Sequence, residues 1–148
     1  MADRETILAA LYTAIAATVA GVGETLYFER NRNEELEESK CPAVLLWDGD
    51  ETQVGGRPIG RAPLLLMEMK PEIWLFVTGT KGTLGTVANS LLRRVQRAIY
   101  VNTAFVAAVG GMENVDFTSI TTGLGKGKKA TSDYGIQLTI RYQFHPAS

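Results

Sequence analysis

The chain opens on a helical repeat. Asp3 can accept from the free amides of a first turn, and Ile7, Leu8, Leu11, Tyr12, Ile15, Val19 and Val22 follow at three- and four-residue intervals. That stripe predicts a helix packed on one face and closed by Gly21 and Gly23. Residues 25–29 switch to alternation, with Leu26 and Phe28 set against Tyr27, and predict a short strand. Residues 30–40 are nearly all polar. They read as a solvated connection or as an acidic arm for a partner, with Glu34, Glu35, Glu37 and Glu38 as its charges. Pro42 then introduces Ala43, Val44, Leu45, Leu46 and Trp47, the continuous apolar run of a strand buried on both faces. The Asp48-Gly49 pair predicts the turn that ends it, and Gly55, Gly56, Pro58 and Gly60 predict a loop.

Period-two alternation returns over residues 64–77. The odd positions Leu65, Met67, Met69, Ile73, Leu75 and Val77 are apolar, whereas the even ones mix Glu68, Lys70 and Glu72 with Leu64, Leu66, Trp74 and Phe76. Pro71 interrupts the run and cannot donate to a ladder. The strand therefore lies at an edge, bulges or breaks, and one long kinked strand is favoured over a hairpin at Lys70-Pro71-Glu72. Leu84, Val87, Ala88, Leu91, Leu92, Val95, Ala98 and Ile99 predict a second helix, with Thr83 as its cap. Residues 102–112 stay ambiguous, closed by Gly110-Gly111. Two strands finish the chain, over residues 115–122 and 134–144, with a Gly-Lys loop at 123–129 between them. These elements predict one α/β (α+β) domain over residues 1–148: a mixed, largely antiparallel sheet carrying an N-terminal helix and a second helix.

Composition narrows the function. At 148 residues, with 45% apolar and 21% charged positions, the chain can bury a core. No run reaches the roughly 18 apolar residues of a bilayer-spanning helix, so no membrane partner is expected. Residues 7–22 mimic a signal peptide, but the leader before them carries two acids and one base where export signals are positive. A single cysteine, Cys41, and a single histidine, His145, remove disulfide scaffolds and zinc fingers. The net charge of −1 argues against a general nucleic-acid binder. Its distribution is uneven: residues 1–72 hold 7 basic and 13 acidic side chains, residues 73–148 hold 8 and 3. The two halves either complement each other within one chain or pair an acidic face of one copy with a basic face of the next.

Candidate chemistry is sparse. Asp48, Asp50 and Glu51 lack the twelve-residue pattern of a calcium loop and read as a polar turn. Residues 79–85 precede a helix but lack the residue order of a nucleotide-phosphate loop. His145 reads as an exposed terminal residue with no nucleophile tied to it. No catalytic, cofactor-binding or metal site is therefore expected, and the chain is not expected to be an enzyme. Lys126, Lys128 and Lys129 form either a mobile arm toward phosphates or a hairpin tip kept soluble by its charge. Arg93, Arg94 and Arg97 lie off the apolar stripe of the second helix. The dipole at its C-terminal end favours them there, and they are candidate inter-subunit charges together with the four glutamates.

The order of segments resembles one family. A helix of the Arg-Glu-Thr-Ile-Leu-Ala-Ala-Leu type leads to a strand ending in Glu29-Arg30-Asn31-Arg32. The block Cys41-Pro42-Ala43-Val44-Leu45-Leu46-Trp47-Asp48-Gly49-Asp50-Glu51 follows, then a long strand, a helix and a closing strand ending Ile140-Arg141-Tyr142-Gln143-Phe144. Over roughly residues 4–144 this resembles the tail terminator, or tail completion, proteins of long-tailed bacteriophages. Pro71 and the Gly-Lys loop depart from the simplest pattern. The resemblance implies helices packed on a sheet and a hexameric ring that caps the tail tube, stops its growth and offers a surface for head joining. It implies as partners the tail tube protein and a head-tail connector or neck protein. In such a ring the composition of the Gly-Lys loop predicts that Lys126, Lys128 and Lys129 face the lumen or an axial partner, with genomic DNA passing through. The place implied is the tail-neck region of the virion, after assembly in the host cytoplasm, with no catalytic residues. A head-completion or neck protein is the alternative in the same class, and a small ligand- or nucleic-acid-binding domain the alternative outside it.

Overall fold

The structure, a computed structural model, describes residues 3–57, 59–60, 62–80, 82–124 and 131–146. Helix α1 spans Arg4–Ala16, and Asp3 caps it by accepting the Thr6 amide at 2.9 Å. The helix stops well short of Gly21 and Gly23. The Thr18 hydroxyl donates to the Ile15 carbonyl at 2.6 Å, and beyond it Val19 and Val22 of the supposed stripe stand exposed. Strands β1 (Tyr27–Arg30), β2 (Ala43–Arg57) and β3 (Leu64–Thr78) follow, then helices α2 (Leu84–Val101) and α3 (Thr103–Val109), and strands β4 (Val115–Leu124) and β5 (Thr131–Phe144). The order across the five-stranded sheet is β1-β2-β3-β5-β4; β1 runs parallel to β2 and every other neighbour is antiparallel. The fold is α+β, with a mixed and mostly antiparallel sheet.

The ambiguous tract at 102–112 resolves into α3. Asn102 breaks the helical path after α2, and its side chain accepts the Phe105 amide at 2.9 Å. Gly110, in the left-handed region at φ 78°, ends α3. Thr83 stands at the start of α2 without capping it; its hydroxyl pairs instead with that of Thr80 at 2.7 Å. The three helices cover one face of the sheet. Val44 and Leu46 of β2, Met69, Ile73, Leu75 and Val77 of β3, and Ile136, Leu138 and Ile140 of β5 pack there against α1, α2 and the fully buried Phe105 of α3.

Pro71 sits inside the central strand, and β2 makes room for it. Pairing runs from Ala43↔Phe76 to Trp47↔Glu72 and resumes at Asp50↔Lys70, so Asp48 and Gly49 together face Pro71. The Asp48-Gly49 pair is therefore a bulge within one 15-residue strand, not the turn its composition suggested, and Gly55 and Gly56 also belong to that strand. On its other side β3 keeps one register with β5, from Glu72↔Gln137 to Met69↔Ile140. Gly49 takes φ 72°, and a Cβ there would stand 2.0 Å from the Lys70 carbonyl oxygen. No side chain fits. The extra residue also swaps the faces of β2: before the bulge the even positions face the helices, after it Glu51 does, opposite Met69.

Because both backbone angle and space at Gly49 exclude a side chain, Gly49→Ala is expected to cost about 2 kcal/mol or more. The measurement is the urea midpoint at constant slope; a shift within error of zero would show that the bulge is not rigid.

Candidate functional site

Where β2 changes face, an ionic cluster ties the start of α1 to the sheet. The Arg30 guanidinium grips Asp48 through Nε at 2.8 Å and Nη2 at 3.0 Å, and Glu5 through Nη1 and Nη2, both at 2.9 Å. Arg4 donates to the Gly49 carbonyl at 2.7 Å and reaches Glu51 at 3.3 Å. The Tyr142 hydroxyl donates to the same Glu51 oxygen at 2.6 Å. Burial, and then the adjacent Glu51 carboxylate, push the Tyr142 phenol far up, so it stays a donor. Burial also pushes the Asp48 carboxyl up, but hydrogen bonds from Arg30 and Asn31 and the charge of Arg30 outweigh it and hold it below its ordinary value. The Arg30 hydrogen bonds and charge lower Glu5 as well. Two of the three acids weighed as calcium ligands thus serve as anchors for arginines. Among the described residues, no group of three or more His, Cys, Asp or Glu side chains is placed to hold a metal ion.

The polar tract after β1 crosses the other face of the sheet, and one buried cation organises it. Only 7% of the Arg32 side chain is exposed. It donates to Glu29 at 2.6 Å, to the Glu34 and Glu35 carbonyls at 3.0 and 3.1 Å, and to Glu37 at 3.4 Å. The Trp47 indole N–H donates to the Arg32 carbonyl at 2.9 Å, and Lys40 lies 4.7 Å from the centre of the Tyr27 ring. This tract is a connection that is solvent-exposed along most of its length and tied down as a strap by Arg32, and Glu34, Glu35 and Glu38 stand exposed on it. Glu37 is shared between Arg32 and Lys40.

The α2 arginines separate by role. Arg94 turns inward, donating to the Val19 carbonyl at 2.6 Å and pairing with Glu24 at 3.4 Å. Arg93 and Arg97 are exposed, and Arg93 donates to Gln96 of its own helix at 2.6 Å. The candidate acids and bases therefore lie on opposite sides of the sheet and do not meet within one chain. Lys126, Lys128 and Lys129 fall outside the described residues. His145 is half-buried where an exposed terminal residue was expected. It lines an open cleft of about 950 Å³ with Met67, Ala104, Ala108, Asn114 and Tyr142, between α3 and the far end of the sheet.

The most distinctive surface is the open sheet face, which no single motif pointed to. Trp47, Trp74 and Phe76 lie half-buried there, on the side away from the helices. The Trp74 ring lies over Gly135, where an added Cβ would stand 2.9 Å from the indole, and its N–H donates to Glu72 at 3.2 Å. Two shallow depressions flank it. One, of about 140 Å³, is lined by Glu72, Trp74, Thr121 and Gln137. The other, of about 370 Å³, is lined by Trp47, Glu72, Trp74, Phe76 and Asp133. Farther along this face Arg141 offsets Glu68 and Asp116; among the described residues no cation pairs with Glu72 or Asp133. The signal was present in the sequence as apolar even positions on β3, the face that a one-sided strand leaves polar. No family profile matches the chain, and no curated protein matches it in sequence. Among the described residues, no helix is long and apolar enough to cross a membrane.

Carboxylates whose affinity for protons is lowered by folding stabilise the native state above their unfolded pKa and lose that contribution as pH falls through the folded value. Stability is thus expected to decline below about pH 5 as Asp48 and Glu5 take up protons. Arg30→Gln should lower stability at pH 7 and flatten that decline, read as urea midpoints at pH 7, 5 and 3. A decline as steep as in the unmodified protein would remove Arg30 as its source. The strap carries a separate expectation: Arg32→Ala should speed cleavage within residues 33–40 by a glutamate-specific protease severalfold, while the core resists. Unchanged cleavage would mean that Arg32 does not hold it.

Proposed function

We propose that the protein is a tail terminator of a long-tailed bacteriophage, a structural subunit that forms a hexameric ring on the tail tube, ends its growth and presents a surface for head joining. One observation carries the reading. The segment order that resembles this family, from the N-terminal helix through the Cys41–Glu51 block to the closing Ile140–Phe144 strand, belongs to a chain whose fold is the one the resemblance implies, helices packed on a mixed sheet. The side-chain chemistry agrees with a structural role: the ionic clusters join elements to one another, and the half-buried aromatic face is surface suited to another protein. On this reading the partners are further copies of the chain, the tail tube protein and a connector or neck protein, with genomic DNA passing through the ring, in the tail-neck region of the virion. No catalytic step is assigned.

Particles made without the protein are expected to carry abnormally long tails that fail to join heads, measured by electron microscopy of lysates. Tails of normal length that still fail to join would replace this reading with a neck protein acting after growth has stopped. Salt-dependent DNA binding by a strict monomer would replace it with a nucleic-acid module.

A further inference from the structure

Resting on the ring reading, we propose that adjacent subunits join through two unlike faces: the open sheet face around Trp74 of one copy receives helix α2 of the next, with Arg93 and Arg97 entering the depressions beside the indole.

The receiving face is apolar and uncovered at its centre. All three helices lie on the other side of the sheet, and the strap covers only the β1–β2 end. Trp47, Trp74 and Phe76 are left half-buried, and Leu66 on the same face is 37% exposed. Each depression combines the Trp74 ring with the Glu72 carboxylate, and the larger adds Trp47, Phe76 and Asp133. An aromatic wall beside a carboxylate suits a guanidinium, which stacks on the ring through its plane and donates to the acid through its edge. Glu34, Glu35 and Glu38 on the strap add negative charge to the same side.

The donor face is α2. Arg93 and Arg97 are exposed and one turn apart, roughly 6 Å along the helix surface. Tyr100, stacked on Phe117, and Val101 continue toward the helix end at 53% and 69% exposure, giving the arginines apolar neighbours. Arg94 is excluded because the Val19 carbonyl and Glu24 already hold it.

The charges also decide how copies meet. Two open faces pressed together would set Glu72 and Asp133 against their own counterparts, a like-charge contact that disfavours a two-fold dimer. Open face to α2 pairs opposite charges from opposite sides of the subunit. Such a head-to-tail contact builds a ring when its rotation closes.

The test uses the full chain in three forms, with mass measured by light scattering over a range of concentrations. The unmodified protein should form rings. Glu72→Lys with Asp133→Lys, and separately Arg93→Glu with Arg97→Glu, should each raise the concentration needed for assembly by about tenfold or more. Mixing the two variants should restore rings, because alternating copies regain opposite charges at every contact and six is an even number. Thermal unfolding checks that each variant is folded; where the double lysine variant is not, Asp133→Asn with Arg97→Ala replaces the pair and should weaken assembly without rescue. Rings that persist unchanged in both reversals, or discrete dimers of the unmodified protein, overturn the interface. The first result leaves the ring reading standing, whereas a strict monomer removes both.

Discussion

A proline in the middle of the central strand is the constraint around which this molecule is arranged. Pro71 has no amide for the ladder, yet β3 is paired on both sides. The sheet stays continuous because β2 gives up one residue of register there and because Gly49 lets the backbone approach the Lys70 carbonyl. The bulge then dictates which β2 side chains meet the helices. Asp48 comes before the change of face and takes Arg30; Glu51 comes after it and takes Arg4 and Tyr142. Helix α1 is thereby fastened at its first turn to both sides of the irregularity.

Most of the architecture was legible because the core obeys simple periodicity. The α2 stripe, the perfect alternation of β5 and the Asp3 cap each report one local requirement, and each appears where the spacing put it. Errors fell where composition has two physical meanings. Asp-Gly suits a turn, but it suits a bulge equally well, since in either the glycine can take a positive φ, as Gly49 does here. The stripe through Val19 and Val22 was apolar without being buried. Asn102 divided an apolar tract that periodicity could not assign.

The surfaces were less legible than the core, for a related reason. Charge runs are visible in a sequence; their partners are not. Arg32 and Arg94 resemble their neighbours in type, yet Arg32 is nearly sealed under a strap and Arg94 is taken by a loop carbonyl 75 residues away. The open face was encoded as apolar residues at even positions of β3 and as Trp47 at the end of the apolar run of β2, which become a patch once β2, β3 and β5 lie side by side. Trp74 rests on Gly135 because glycine alone leaves the ring a flat floor, so its packing partner is a missing side chain.

The way Arg32 holds the strap has a consequence for how this surface can vary. Two of its hydrogen bonds end on the main-chain oxygens of Glu34 and Glu35, atoms that every amino acid possesses. The path of the chain is thus secured independently of what those two positions display. Substitution there can change the surface charge while the loop keeps its course, so surface chemistry and chain path are under separate control at the same residues.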